Sequence, residues 1–243
     1  MGLVLTSKTL SAAGWGMGYS AAVPSGLRYL GIYSDDNSLK KDQSGGNRLP
    51  VVGSPVVGDI TTGATFSNSK NYIDKIMEET DSFTLLSVFD MPTDSTKTPA
   101  YAISNSRSNP SLVSFTLGAG NATTARLYYG YGSSGAFLSL DIPASGKVAI
   151  IARVKTTGFI DGDIIADIRN CTTGETAQLV APSDMGEHVK AGSFRVGSGY
   201  STANNNPITM LASGAWDRYL TDDEVLSQYA QLKDMYASYG VAI

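Results

Sequence analysis

The residues whose types and spacing best suit chemistry are tyrosines and asparagines set among glycines. Tyr128, Tyr129 and Tyr131 stand beside Gly130 and Gly132, and Tyr200 precedes Asn204, Asn205 and Asn206. A sugar ring stacks its C–H face on an aromatic ring and offers its hydroxyls to amides, carboxylates or guanidinium groups. These six residues, Tyr128, Tyr129, Tyr131, Tyr200, Asn204 and Asn205, are therefore the candidate carbohydrate-binding set. Core or interface packing competes for them. On a strand Tyr128 and Tyr129 point to opposite faces, so at least one of them turns inward.

The acidic groups read differently. Calcium takes several oxygen ligands, and Asp161 and Asp163, across Gly162, or Asp35, Asp36 and Asn37, are the places to look. Both also read as turns in which Asp and Asn bond their own backbone. No other cofactor is expected. Hydrolysis of a glycosidic bond needs two carboxylates facing each other across it. The acidic runs are Glu78-Glu79-Thr80-Asp81, Asp161-Gly162-Asp163 and Asp222-Asp223-Glu224; the first reads as an element boundary and the last as a helix cap. His188 is the single histidine and lies in a loop by composition, with no paired nucleophile.

The elements that must position these groups are mostly strands. The 243 residues include 26 glycines and few charges, a composition that suits short strands and many turns rather than a helical bundle. Net charge is −4, with no basic run beyond Lys40-Lys41, which argues against nucleic acid. The single cysteine, Cys171, excludes an internal disulfide framework and reads as a free thiol on a strand. No apolar run is long enough for a membrane helix, and no secretory leader is recognisable.

Alternation marks strands at 82–89, 100–105, 112–117, 124–131, 136–140, 147–154, 163–170, 176–180, 193–197 and 208–219. The run 147–154 is the most apolar and is expected to be central. Residues 118–121 read as a glycine turn, and 72–79 as a helical turn or two with Ile73 and Met77 inward. Thr221 with Glu224 three residues on forms a capping box, and Asp222 and Asp223 complement the helix dipole. Behind it Val225, Leu226, Tyr229, Leu232, Met235 and Tyr236 recur at helical spacing. Residues 1–39 read as an N-terminal arm or docking segment, although Leu27 to Tyr33 could instead supply a strand. Residues 40–243 read as one sandwich with a C-terminal helix.

The stretch Ala215-Trp216-Asp217-Arg218-Tyr219-Leu220-Thr221-Asp222-Asp223-Glu224-Val225 resembles the closing motif of LamG-like, concanavalin A-type jelly rolls. The opening Asp42-Gln43-Ser44-Gly45-Gly46-Asn47-Arg48-Leu49 resembles that family more loosely, with Gly46 where the family carries Asn. The strands at 83–89 and 193–197 are also similar, so the likeness spans roughly residues 40–236. It implies an all-β, antiparallel jelly-roll β-sandwich with a C-terminal α-helix. Its motifs are structural, so no catalytic residue carries over, and the E-x-D-x-x-E strand of glycosidases on this fold is absent. A cysteine-poor, leaderless chain of this kind is similar to bacteriophage particle proteins. The resemblance implies a non-enzymatic structural and recognition protein: a tail, fibre or capsid decoration component of the virion. Such a protein would form a homo-oligomer, contact other virion proteins and bind a host-surface glycan, but neither nucleic acid nor membrane. The alternative is a polysaccharide-acting glycosidase or lyase on the same fold.

Overall fold

A computed structural model describes residues 19–46, 49–67, 70–107, 114–131, 134–142, 146–157, 164–180, 189–200 and 206–243. Its elements in chain order are β1 (Leu27–Ile32), β2 (Val51–Val52), β3 (Val56–Val57), β4 (Ala64–Phe66), β5 (Tyr72–Met77), β6 (Ser82–Asp90), β7 (Ala100–Ser104) and β8 (Ser114–Asn121). There follow β9 (Thr124–Tyr131), β10 (Ser134–Asp141), β11 (Lys147–Lys155), β12 (Ile164–Asn170), β13 (Thr176–Val180), β14 (Phe194–Val196), β15 (Ile208–Trp216) and the helix α1 (Asp222–Ala237). The strands form two antiparallel sheets, and the expected all-β sandwich is what the chain adopts. One sheet runs β13-β12-β11-β6-β15-β4-β3, and the other β10-β9-β8-β7-β14-β5-β2. The apolar strand β11 is interior, paired with β6 and β12.

Alternation sorts each strand between layers. In β6, Phe83, Leu85 and Phe89 face the second sheet and join Ile150, Phe115, Leu127 and Phe194 in the main core. Leu86 and Val88 point the other way, with Ala149, Ile151 and Trp216, and there meet Leu220, Val225, Tyr229, Leu232 and Tyr236. The helix therefore covers the outer face of the first sheet. Leu226, expected on its buried face, is 42% exposed.

The cap forms as the spacing predicts. Thr221 Oγ1 accepts from the Glu224 N–H at 3.3 Å, and Glu224 Oε2 accepts from the Thr221 N–H at 2.9 Å. Arg218 adds a bidentate contact to the same carboxylate at 2.8 and 2.6 Å. The Arg218 hydrogen bonds, then the Thr221 N–H, hold the Glu224 carboxyl down at about 2 against an ordinary 4.5. A folded value below the unfolded one means that the contribution is full above about pH 4.5 and is lost as pH falls toward 2. Acid titration of thermal stability should show this increment in the native chain and lack it in Glu224→Gln; identical acid limbs would contradict the coupling.

Four expectations change. Residues 27–32, assigned to a segment ahead of the sandwich, form β1 and pair antiparallel with 212–216 of β15. Tyr29, Leu30 and Tyr33 are buried there, and Tyr33 Oη is hydrogen-bonded to Ser213 Oγ. Residues 72–77 are a strand, not a helical turn. Lys75 has φ 54° and interrupts the pairing of β5 with β14, so Ile73, Ile76 and Met77 all turn inward at a spacing that imitates a helix. Residues 118–121 extend β8 instead of turning, and the turn falls at 122–123. Trp216 ends the last strand, and Asp217 to Leu220 form the link to the helix rather than more strand. Cys171 lies just past β12, where burial pushes its thiol up to about 12.

Candidate functional site

The helix occupies one outer face of the sandwich. Among the described residues no helix crosses the outer face of the second sheet, and its outward side chains form the candidate site. Register places Phe137 opposite Tyr128, Tyr128 opposite Thr116, Thr116 opposite Ser104, and Ser104 opposite Arg195. The neighbours Leu127, Tyr129, Phe115, Leu117, Ile103, Phe194 and Val196 all lie in the main core, so this cross-strand row points outward. From Tyr128 to Arg195 it spans three strand spacings, about 14 Å.

One end of the row is an aromatic and arginine stack. The Tyr128 and Phe137 rings lie 6.1 Å apart, and Phe137 is 53% exposed. The Arg126 guanidinium lies 4.5 Å from the Phe137 ring centre and 6.0 Å from that of Tyr128. Gly120 makes this possible: a Cβ there would come within 2.3 Å of the Arg126 Cδ. Glycine near the end of β8 thus leaves a bed for a guanidinium, and 118–121 stays extended through its pairing with β7 and β9.

The other end is a second stack, Tyr72–Arg195–Tyr200–Arg107. Arg195 lies 4.3 Å from the Tyr72 ring centre and 3.4 Å from that of Tyr200, and Arg107 lies 3.9 Å from Tyr200 on its own side. Asp74 fixes Arg195 through Nε at 2.8 Å. Arg107 Nε donates to the Ala191 carbonyl, and the Tyr200 N–H donates to Ser106 O at 2.7 Å. Such contacts hold each guanidinium plane against a ring face. Between the stacks, Ser104 Oγ and Thr116 Oγ1 are hydrogen-bonded at 2.6 Å and buried.

Of the sequence candidates, Tyr128 faces outward in the first stack and Tyr200 sits in the second. Tyr129 turns inward, 6% exposed, its ring 5.0 Å from Phe115. It belongs to the core, because strand alternation sends it opposite to Tyr128, and no sugar can stack on it. Tyr131 continues β9, but its side chain lies outside the described residues, as do Asn204, Asn205, Asp161, Asp163 and His188. Arg126, Phe137, Arg107, Arg195 and Tyr72 were not singled out from the sequence. The first two were within reach: Arg126 is two residues from Tyr128, and the antiparallel pairing of β9 with β10 sets Phe137 opposite Tyr128.

Of the acidic groups weighed from the sequence, Glu78, Glu79, Asp81 and Asp35 are held by local partners. Glu79 is buried, its Oε2 accepting from Asn105 Nδ2 at 2.7 Å and from the Ala191 N–H at 2.9 Å. Glu78 accepts from Ser193 Oγ, and Asp81 pairs with Lys190 at 2.5 Å. Asp35 Oδ1 accepts from the Ser38 N–H at 2.8 Å, as a turn requires. No group of three metal-ligating side chains occurs among the described residues. On the opposite side of the molecule, Tyr19, Ile32, Asp35, Asp59, Met235 and Tyr239 line a groove of about 480 Å³.

No family model matches the sequence, and no curated protein matches it. Solved structures do. The binding domain of botulinum neurotoxin serotype D aligns with 12% identity and a TM-score of 0.61, over 87% of this chain and 52% of that one. A neurotoxin binding domain solved with rat synaptotagmin II aligns at 13% identity and TM-score 0.58, over 86% and 52%. A structure of neurotoxin type C, whose cell entry is described as dependent on two ganglioside molecules, aligns at 11% identity and TM-score 0.56, over 85% and 51%. The chain spans about half the length of these neighbours. At this identity the likeness establishes a shared fold.

Proposed function

We propose that this chain is a non-enzymatic recognition protein that binds a surface saccharide through the outer face of its second sheet. The observation that carries the reading is the cross-strand row with an aromatic and arginine stack at each end, on the sandwich face the helix leaves free. The exposed Phe137 ring with Tyr128 presents a C–H stacking surface, and guanidinium groups at both ends donate to hydroxyls, so a short oligosaccharide would pass over the buried Ser104 and Thr116 pair. Structural neighbours include neurotoxin receptor-binding domains, which agrees with a binding role.

The setting we propose is a bacteriophage particle, in which the chain is a homo-oligomeric tail, fibre or capsid decoration component contacting other virion proteins and facing the host surface. Support for that setting is the LamG-like closing motif, now seen as a working cap, together with the single cysteine and low charge.

The test is a panel of immobilised bacterial surface polysaccharides and oligosaccharides. The native chain should bind at least one member. Tyr128→Ala with Phe137→Ala should weaken that binding at least about tenfold, the equivalent of about 1.4 kcal/mol, while melting as the native chain does. Binding that survives the double substitution unchanged would remove this face from consideration.

A further inference from the structure

We infer that the ligand of this face is an anionic saccharide, its carboxylate or sulfate taken by the guanidinium groups of Arg107 and Arg126; this rests on the saccharide reading above. The reason lies in how the chain distributes its counter-charges. The protein is acidic overall, with 22 carboxylate residues against 18 basic ones. Carboxylates shadow Arg28 through Asp217, Arg153 through Asp167, Arg195 through Asp74 and Arg218 through Glu224. Among the described residues no carboxylate pairs with Arg107, Arg126 or Arg169, and Arg169 belongs to β12 of the other sheet. Arg107 and Arg126 flank the same cross-strand row, and each guanidinium lies within 4.5 Å of a ring centre there.

Their remaining hydrogen-bonding capacity points the same way. Arg107 spends its Nε on the Ala191 carbonyl, which leaves the terminal nitrogens to donate elsewhere. Among the described residues Arg126 reaches only Tyr128 Oη, at a long 3.4 Å, and its Nε is sheltered from solvent without a hydrogen-bond partner. The hydroxyl of Tyr200, whose ring lies beside Arg107 and Arg195, is likewise sheltered and without one. A half-buried guanidinium without a counter-ion is costly, and a planar oxyanion that accepts two parallel N–H bonds relieves the cost. Phe137 and Tyr128 beside Arg126 supply the ring face on which the rest of an acidic sugar unit stacks. A neutral sugar would leave both charges uncompensated.

The experiment measures binding of the full chain to two matched pairs of probes: oligogalacturonate against its carboxyl-reduced form, and dextran sulfate against dextran of the same length. At least one acidic member should bind about tenfold or more tighter than its neutral partner, and which one does identifies the anionic group. Arg126→Gln and Arg107→Gln should each weaken that binding about tenfold, with melting curves confirming the fold; Arg126→Gln serves if the Arg107 variant loosens its loop. Arg28→Gln, on an arginine away from this face, should leave it unchanged. If neutral and acidic members bind equally, the charge inference fails while the saccharide reading stands. If no saccharide binds here or on the wider panel, both fail. If Arg28→Gln weakens binding as much as the others, the attraction is diffuse and the assignment to Arg107 and Arg126 is overturned.

Discussion

Replacing Arg153 by alanine should destabilise the protein by about 3–5 kcal/mol, the cost of breaking one side of a buried ion pair. Arg153 and Asp167 are cross-strand partners on the outer face of the first sheet, with side chains only 11% and 4% exposed. Arg153 Nε lies 3.0 and 3.1 Å from the two Asp167 oxygens. Its Nη1 donates to Leu220 O at 2.9 Å and to Asp222 Oδ1 at 2.6 Å, which ties the sheet to the start of the helix. The Tyr219 ring lies 4.8 Å from the guanidinium, and the Tyr219 hydroxyl donates to Asp167. Burial works against the charge on Arg153, yet the Asp167 hydrogen bonds and field hold its pKa above the ordinary value. Without Arg153, the Asp167 carboxylate remains buried with Tyr219 as its local donor. At about 2–4 °C per kcal/mol for a chain of this size, Tm should fall by roughly 10 °C. Arg153→Met combined with Asp167→Leu should recover much of the loss, because an apolar pair of similar volume removes both charges. A single substitution that costs under about 1 kcal/mol would show that water reaches the pair.

Trp216→Ala is the second large effect, at about 3–5 kcal/mol for an aromatic side chain deleted from a core. Trp216 is fully buried between the first sheet and the helix, and its indole N–H donates to Val23 O at 2.8 Å. It therefore secures the helix layer and also the chain leading into β1. Gly214 is part of the same packing, since a Cβ there would approach the indole ring within 2.9 Å. Hydrogen exchange should localise the damage: amides of residues 19–33 and of the helix should lose more protection than those of β8 and β9, which lie in the other sheet. Uniform loss would mean that the helix layer and the sandwich unfold as one unit.

These two sites also show what can be read without coordinates. The capping box at Thr221 and Glu224 is local chemistry and is legible to the residue. So are the alternating strands and the hairpin that brings β9 against β10. What sequence alone obscured depended on distant partners. The strand β1 pairs with one about 180 residues later, and nothing in Leu27 to Ile32 records that pairing. In β5, one left-handed residue at Lys75 shifts the inward positions from alternate to helical spacing. The glycines of β8 suggested a turn because what needs their space comes from neighbouring strands, the β7 backbone at Gly118 and the Arg126 side chain at Gly120. The candidate site was half legible for the same reason. Tyr128 and Tyr200 stood out by type, whereas Arg107, Arg126 and Arg195 acquire meaning only when four strands and two loops bring rings beneath them.

The most direct test of the account is where a bound saccharide lands. Isotope-labelled full chain should be titrated with the tightest-binding oligosaccharide, and its backbone amide shifts followed by NMR. The account predicts that the largest changes fall on Arg126, Tyr128 and Phe137 and on Arg107, Arg195 and Tyr200, with the helix side silent. Changes centred instead on Tyr19, Asp35, Asp59 and Tyr239 would place recognition in the groove on the opposite side and contradict it.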